Sequence, residues 1–242
     1  MLRLHVPGPL AAGQDLSLDA AAARHVQVRR LQPGDAVVLF DGRGGEWDAE
    51  VAAMRRDGVD LRIRAHVPAD RELPWRVTLA VGMPANERMD WLVEKAAELG
   101  AAGIRPIECE RSVLRLSGDR AERRRVHWQA VAVSAAEQSG RTAVPVVAPV
   151  VPFAQLLAEA PVSGGRALRW MLSPGAPTPA RPPAQIRELL LLSGPEGGMS
   201  AGEEAAAKAA GFEPVGLGPR VLRAETAPLA ALAWLSCLGG GA

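Results

Sequence analysis

A glycine-rich segment near the carboxyl end of the chain has the residue types of a ligand-binding loop. Leu189–Leu192 is a short apolar run, and Ser193-Gly194-Pro195-Glu196-Gly197-Gly198 follows it directly. Ser200 and Glu203 then have the spacing of a capping box, which predicts that a helix begins there. Ligands of open α/β sheets bind at the carboxyl ends of strands, and glycines let backbone groups approach a ligand closely. The segment is therefore either a ligand loop or a tight turn between strand and helix.

The same segment lacks the patterns of three other glycine loops. No Gly-Lys-Ser/Thr triplet follows it, so a phosphate-binding loop is not expected, and the Gly-x-Gly-x-x-Gly dinucleotide fingerprint is absent. Ser193 does not occupy a Gly-x-Ser-x-Gly elbow, which argues against a hydrolase nucleophile. The pattern therefore argues against these three kinds of site but does not identify the ligand.

A second glycine turn, Gly216-Leu217-Gly218-Pro219, is followed by charged residues and by a helix start. Arg220, Arg223 and Glu225 come next, and Thr226 is placed to cap the last helix. Two such loops on neighbouring strands can enclose one ligand. The two arginines suit contacts with phosphate or with the carbonyl oxygens of a base. The alternative is that they are solvated surface charges.

A basic run extends from Arg111 to Arg125. It contains six arginines and two acidic residues, a net charge of +4. A local excess of arginine is the electrostatic footprint expected of a surface that binds RNA phosphate. A solvated helix face would have the same composition, so both interpretations stay open.

Composition excludes several classes of protein. The net charge of +1 provides no strong global field toward nucleic acid or membrane, so an RNA surface must be a local patch. Cys109 and Cys237 are too few for a disulfide framework or a structural zinc site, and we expect both to be small buried residues. The four histidines lack metal-ligand spacing, so no metal is expected. The longest apolar stretch, residues 227–238, is too short to span a bilayer, and the first residues lack a secretory signal. We therefore expect a cytoplasmic protein with no membrane partner.

Strands alternating with helices are predicted after residue 75. The apolar runs that predict buried strands are Val77–Val81, Ile104–Glu108, Ala167–Leu172 and Leu189–Leu192. Helices are predicted after the capping residues Asn86, Asp119 (with Glu122 completing a capping box), Ser200 and Thr226. This alternation predicts an α/β domain with a mostly parallel sheet covered on both faces.

Residues 1–68 predict β structure instead. Ala36–Phe40 is a short apolar strand, and residues 47–51 and 59–65 alternate between apolar and polar. Strands with one solvent-exposed face are typical of a small barrel. A short helix is predicted over residues 20–30. Prolines and charges in residues 68–74 indicate a linker. We therefore predict two domains, residues 1–70 and residues 75–242.

The two glycine segments closely resemble the C-terminal signature of a known family. Ser193–Gly198 reads SGPEGG and Leu217–Ala227 reads LGPRVLRAETA, and together they are similar to the RsmE family. Members of that family are ribosomal RNA small-subunit methyltransferases of the SPOUT superfamily. Further matching segments are Arg24–Val26, Leu31–Asp35, Leu39–Gly42, Glu94–Gly100, Glu110–Ser112 and Glu137–Arg141. The resemblance covers most of the chain and is weakest over residues 149–187.

The resemblance implies an α/β fold of two parts. The first is a small N-terminal PUA-like, RNA-binding β-barrel, and the second is a C-terminal SPOUT domain with a deep trefoil knot. It also implies S-adenosylmethionine as methyl donor, a homodimer, and methylation of N3 of one uridine in 16S rRNA of the small ribosomal subunit.

Three sets of site residues are expected, of which motif matching implies the first, the chemistry of methyl transfer suggests the second and the distribution of positive charge suggests the third. The donor site would comprise Leu172, Ser173, Gly194, Glu196, Gly197, Leu217, Gly218, Leu222, Arg223, Thr226 and Ala227. The catalytic candidates are Arg220, Arg223 and Glu225. The candidate RNA contacts are Arg3, Arg24, Arg30, Arg111, Arg123, Arg124, Arg125 and Arg141. Ser173 stands where some relatives have histidine, so only a backbone contact is expected there.

The chemistry of N3 methylation explains the catalytic candidates. Uracil N3 carries a weakly acidic proton that must leave, and negative charge then spreads onto O2 and O4. An arginine suits that charge, which favours Arg220 or Arg223, while Glu225 either helps to remove the proton or orients an arginine. Two alternatives remain: methylation of a ribose 2′-hydroxyl or another base, and a non-catalytic RNA-binding assembly factor.

Overall fold

The structure is a computed structural model that describes residues 1–56, 58–85, 87–159 and 166–239. It divides into two compact units, the first comprising Met1–Glu72 with Ala136–Val144 and the second comprising Leu73–Ala135 with Pro145–Ala242. Residues 136–144 thus cluster with the first unit, although they lie far from it in sequence. The domains predicted from sequence, 1–70 and 75–242, stay a prediction.

The chain forms twelve strands and six helices in its described part. In chain order they are β1 (Leu2–His5), β2 (Asp15–Ser17), α1 (Ala20–Val28), β3 (Ala36–Phe40), β4 (Glu46–Met54), β5 (Val59–Val67), β6 (Arg76–Gly82), α2 (Glu87–Glu98), β7 (Gly103–Glu108), α3 (Gly118–Ser139), β8 (Val146–Val147), β9 (Val151–Pro152), α4 (Phe153–Glu159), β10 (Ala167–Leu172), β11 (Glu188–Ser193), α5 (Ala201–Ala209), β12 (Glu213–Val215) and α6 (Thr226–Gly239).

The first unit is built on a five-stranded sheet in the order β1-β3-β4-β5-β2. β1 runs parallel to β3, and the other neighbours are antiparallel. In β5, Val59, Leu61 and Ile63 are buried in the core whereas Arg62 and Arg64 are exposed, so the predicted alternation is confirmed. The side chain of Asp19 caps α1, which ends two residues earlier than predicted.

The second unit contains a seven-stranded sheet whose main order is β12-β10-β11-β6-β7-β8, with β9 paired to β7. Every pairing among these described strands is parallel. β11 and β6 lie side by side, and Leu79, Ala80, Leu191 and Leu192 from these two strands are fully buried. All carboxyl ends of the strands therefore meet at one edge, as the sequence predicts for an α/β domain.

The helices of the second unit follow the apolar repeat with two corrections, of which one is that α6 begins at Thr226 itself, so Thr226 does not precede that helix as its cap. The predicted capping box at Ser200 and Glu203 is confirmed, because the Ser200 hydroxyl accepts from Glu203 N–H and the Glu203 carboxylate accepts from Ser200 N–H. The box predicted at Asp119 is wrong: α3 begins at Gly118, which places Asp119 inside the first turn. Glu122 instead accepts a 2.8 Å hydrogen bond from Arg125 Nε. The predicted cap Asn86 lies outside the described residues.

One buried tryptophan joins the first two helices of this unit. Trp128 of α3 is 1% exposed, and its Nε1–H donates to Asp90 Oδ1 of α2 at 3.0 Å. The same carboxylate lies 2.7 Å from His127 Nε2. Among the described residues, no helix has the length and apolar character needed to cross a membrane. The trefoil knot stays a prediction.

The pKa values of two carboxyl groups in the first unit are shifted in opposite directions. Burial raises the pKa of Glu137 above its ordinary 4.5, although the backbone N–H of His5 donates to Glu137 at 2.9 Å. The hydrogen bond from Arg71 lowers the pKa of Glu46, and a second ion pair to Arg3 adds to it. The folded protein therefore holds the Glu137 proton more tightly than the unfolded chain and the Glu46 proton less tightly.

This difference gives opposite pH dependences for two conservative variants. As pH rises above 4.5, the wild type loses stability through Glu137 ionisation, so Glu137→Gln gains stability relative to it. As pH rises towards 4.5, the wild type gains stability through ionisation of Glu46, and Glu46→Gln does not. The variant therefore stays less stable than the wild type at higher pH. The free energy of unfolding in urea, measured between pH 3 and pH 7, checks both, because the Glu46 dependence lies below pH 4.5. A Glu137→Gln difference that does not change with pH would contradict the assignment.

Candidate functional site

A cavity of about 620 Å³ lies at the carboxyl edge of the seven-stranded sheet. Leu172 at the end of β10, Ser193 at the end of β11 and Val215 at the end of β12 line it. The loops that follow β11 and β12 are the two glycine segments, and they form its other walls. The cavity therefore lies where the sequence rule places a ligand, outside the carboxyl ends of parallel strands.

The first glycine loop turns sharply because side chains are missing where its backbone packs. A Cβ on Gly194 would lie 2.9 Å from Met199 Cγ, and a Cβ on Gly82 of β6 would overlap Pro195. The loop closes with a 2.8 Å hydrogen bond from Gly198 N–H to Pro195 C=O. The loop therefore lies directly against the end of the neighbouring strand.

The second glycine loop packs against the segment that follows β10. A Cβ on Gly216 would overlap the carbonyl oxygen of Ala176, and Gly216 N–H donates to Pro177 C=O at 2.8 Å. Gly218 has a φ of +94°, which favours glycine. Ser173 N–H donates to Val215 C=O at 2.9 Å, so the ends of β10 and β12 are held together.

Most of the predicted donor-site residues line this cavity. They are Leu172, Ser173, Gly194, Glu196, Leu217, Gly218, Leu222, Arg223 and Ala227. Gly197 and Thr226 are not among the lining residues in the described structure. Gly197 instead lies against Arg111, whose Cβ would be 3.0 Å from a Cβ on that glycine. Gly197 is therefore placed to shape the loop.

The three catalytic candidates occupy different environments. Arg220 and Arg223 line the cavity and are exposed. Neither has a carboxylate within ion-pair distance among the described residues, so both guanidinium groups can reach a ligand. Glu225 is 8% exposed and is not itself a lining residue. Its Oε1 lies 3.8 Å from Arg88 Nε, and its Oε2 has no hydrogen-bond partner among the described groups.

The sequence analysis missed two charged lining residues, Glu204 of α5 and Arg88 of α2. Arg88 lies in the first turn of α2, the helix that follows β6, and its side chain lines the cavity. Its Nη1 is 3.7 Å from Glu196 Oε1, which also accepts a 2.8 Å hydrogen bond from Ala85 N–H. Its place after a buried strand is the same signal that identified both glycine loops, but the segment 83–88 contains no glycine.

The arginines that are predicted to contact RNA differ in how far they are buried. Arg24, Arg30, Arg123 and Arg124 are exposed. Arg125 pairs with Glu122, and Arg111 donates to the carbonyl oxygens of Gly197 and Met199 at 3.3 Å and 3.5 Å. Arg111 thus braces the first glycine loop while its side chain stays exposed.

Arg3 and Arg141 require a correction. Arg141 is 3% exposed, and its Nε lies 3.1 Å from Glu72 Oε2. Arg3 is partly buried, pairs with Glu46 and donates to the Arg141 carbonyl oxygen at 3.0 Å. A buried guanidinium already matched by a carboxylate is not placed to meet a phosphate. Both arginines make these contacts within the first unit instead.

The cysteines also differ from each other. Cys109 is buried as expected, and burial raises the pKa of its thiol to about 12, so the thiol stays protonated and is no nucleophile. Cys237 is exposed, contrary to the expectation that it is buried. The described residues contain no group of three or more His, Cys, Asp or Glu side chains arranged to hold a metal ion.

Gly216→Ala is expected to weaken binding of S-adenosylmethionine, the ligand that the resemblance implies, by about tenfold or more. The added methyl group would overlap the Ala176 carbonyl oxygen and force the second glycine loop away from the segment that follows β10. Isothermal titration calorimetry measures the affinity. Gly202→Ala is the matched control, because its nearest neighbour, Ser200 Oγ, lies at 3.8 Å. Equal affinities for the two variants would show that the close approach is not needed.

Comparison with known proteins places this geometry in a family. Residues 71–236 match the family model for an RNA methyltransferase domain, and residues 18–64 match that for an RNA methyltransferase PUA domain. The chain is 36% identical over 232 residues to ribosomal RNA small subunit methyltransferase E of Synechocystis sp., covering 92% of this chain and 73% of the relative. Identity to the Bacillus subtilis protein of the same name is 32%, covering 87% and 85%.

Solved structures agree. The structure resembles ribosomal RNA small subunit methyltransferase E from Neisseria gonorrhoeae bound to S-adenosylmethionine, with a TM-score of 0.91, 34% identity and 98% of each chain covered. A Legionella pneumophila methyltransferase in complex with the same cofactor gives a TM-score of 0.89 at 33% identity, again over 98% of each chain. The predicted family and fold class are thereby confirmed. The chain belongs to the ribosomal RNA small subunit methyltransferase E family, the RsmE family that its two glycine motifs resemble.

Proposed function

We propose that this protein transfers a methyl group from S-adenosylmethionine to N3 of a specific uridine in 16S rRNA. The observation that carries the proposal is the cavity at the carboxyl edge of the parallel sheet, where both family motifs converge. Family membership supports the reaction class, and relatives that match along nearly the whole chain bind this donor.

The residues of the cavity fit such a donor. Leu172, Leu217 and Leu222 provide apolar contacts, and the glycine loops bring backbone groups to the same space. Glu196 and Glu204 add carboxylates, which suit a ligand that carries positive charge. A volume of about 620 Å³ is in the range of cofactor sites. When bound, S-adenosylmethionine supplies an electrophilic methyl group on a sulfonium.

The residues at the cavity suit the acceptor chemistry as well. Arg220 and Arg223 can stabilise the negative charge that develops on uracil O2 and O4, because their guanidinium groups are exposed. Glu225 remains the candidate for accepting the proton that leaves N3; its Oε2 is buried in this structure, so this oxygen must become exposed to reach a substrate. The arginine that Glu225 contacts is Arg88, so neither Arg220 nor Arg223 is the one it orients.

RNA binding is assigned to the exposed arginines of both units. N3 lies on the Watson–Crick edge, so the target uridine must be unpaired or taken out of its pairing. Arg24 and Arg30 of the first unit, and Arg123 and Arg124 of α3, are exposed and can contact phosphates. We include in the proposal the RNA-binding role of residues 1–70, the homodimer and the cytoplasmic location implied by a ribosomal substrate.

Reverse transcription across small-subunit rRNA tests the reaction and its target. Cells that lack this protein should lose one polymerase stop, because a methyl group on N3 blocks base pairing. Adding the purified protein and S-adenosylmethionine to subunits from those cells should restore the stop. Methyl transfer without a stop would move the acceptor to a ribose or to another position. No transfer to subunits or naked RNA would favour a non-catalytic RNA-binding protein.

Replacing Arg123, Arg124 and Arg125 together by alanine is expected to weaken RNA binding. Loss of the two phosphate contacts assigned to Arg123 and Arg124 should make the log–log dependence of affinity on salt shallower by about 1.5. Filter binding at several salt concentrations measures both effects. The control is Arg181→Ala combined with Arg187→Ala, which removes exposed arginines outside the basic run. Unchanged affinity and slope in the triple variant would refute the assignment.

A further inference from the structure

The loop that joins β7 to α3, residues 109–117, carries an exposed apolar side chain at the edge of the sheet that holds the cavity. Val113 is 73% exposed, and it stands between Arg111 and Arg115, which are exposed as well. β7 runs parallel to β6, so this loop leaves the sheet at the same carboxyl edge as the two glycine loops. A single exposed valine is ordinary on a protein surface, and its surroundings decide whether it has a role.

Hydrogen bonds brace this loop from within. The Ser112 hydroxyl accepts a 2.9 Å hydrogen bond from Cys109 N–H, and Ser112 N–H donates to Cys109 C=O at 3.1 Å. The Glu108 carboxylate accepts from Leu116 N–H at 2.7 Å. Ser112 is buried, whereas the neighbouring Val113 is exposed. A ligand that contacts the valine therefore does not have to order the loop first, which lowers the cost of binding.

Two contacts attach the loop to one wall of the cavity. Arg111 donates to the carbonyl oxygen of Gly197 in the first glycine loop at 3.3 Å. Glu110 N–H donates to Glu203 Oε1 at 2.8 Å, and the same carboxylate completes the capping box of α5. Val113 is therefore carried by a loop that is fixed beside the proposed donor site.

The charge around this valine suits RNA. The hydrogen bonds that Arg111 and Arg115 make in the described structure all go to backbone carbonyl oxygens, so no carboxylate offsets their charge there. The second glycine loop repeats the arrangement, because Val221 is 81% exposed and lines the cavity between Arg220 and Arg223. An RNA strand alternates base faces with phosphates, and apolar side chains flanked by arginines complement that pattern.

We propose that Val113 packs against the face of an RNA base next to the target uridine and keeps that base from stacking on the target. The inference rests on the proposed function, because it places an RNA acceptor at the cavity. N3 is accessible only when the uridine has left its pairing, and an apolar side chain inserted at a base step favours that state. The contribution of Val113 is to binding of the RNA and not to the transfer of the methyl group.

Replacing Val113 by serine removes the apolar contact without changing the charge. We expect KM for small subunits to rise by about fivefold, with kcat and donor affinity each within about twofold of wild type. Val113→Leu keeps an apolar side chain and should stay within about twofold of wild type in all three quantities. Val113→Asp also repels phosphate and should raise KM by about 20-fold.

Val146→Ser and Val146→Asp are the matched controls. Val146 is 65% exposed in β8 and lies opposite Gly103 at the amino end of β7, so it is at the other edge of the sheet. Both controls should leave KM within about twofold of wild type. The Val113 variants should unfold at the wild-type temperature because the side chain is exposed. A wild-type KM for Val113→Ser, or an equal rise in the Val146 variants, would overturn the proposal.

Binding to small subunits without methyl donor separates this inference from the proposed function. Val113→Ser should weaken binding by the same factor at every salt concentration because the lost contact is apolar, whereas the triple arginine variant changes the slope. If the wild type transfers no methyl group to any RNA, the proposed function fails, and these affinities still decide whether Val113 contacts RNA. If sedimentation shows that Val113→Asp changes the oligomeric state, the valine contacts a second copy of the chain and the proposal is overturned.

Discussion

The shape of the cavity depends on close backbone packing of its two glycine loops against neighbouring segments. At Gly216 a single methyl group would occupy the place of the Ala176 carbonyl oxygen, and at Gly82 it would occupy the place of Pro195. Only glycine lets these segments approach so closely. The same contacts bring the ends of β10, β11 and β12 into one wall. The geometry of the site therefore depends on side chains that are absent as much as on those that line it.

The charged residues at the cavity differ in how deeply they are buried. Exposed Arg220 and Arg223 have no carboxylate partner among the described residues and can meet charge that develops on a ligand. The buried Glu225, by contrast, is matched by Arg88. Preorganised charges of this kind stabilise a transition state without reorganising solvent. The paired and unpaired groups thus have different roles although they lie within a few residues of each other.

Arginines in this chain serve two purposes that composition cannot separate. Arg141 is almost fully buried against Glu72, and Arg111 donates to the carbonyl oxygens of the first glycine loop. Arg123 and Arg124 are exposed on α3. A guanidinium whose donors are already used by protein oxygens supports structure, whereas an exposed one remains available to phosphate. The basic character of a segment therefore overstates its capacity to bind RNA.

The sequence by itself determined the alternation of β5, the capping box at Ser200 and the two glycine loops, because each depends on neighbours within a few residues. Motif similarity also identified the family. Only the tertiary structure decided that Arg88 faces Glu225, that Arg3 and Arg141 are occupied by carboxylates, and that Glu122 pairs with Arg125 rather than capping a helix. Most of these contacts join segments far apart in the chain. Burial and pairing across such distances are set by how strands and helices pack, and local residue patterns do not contain that information.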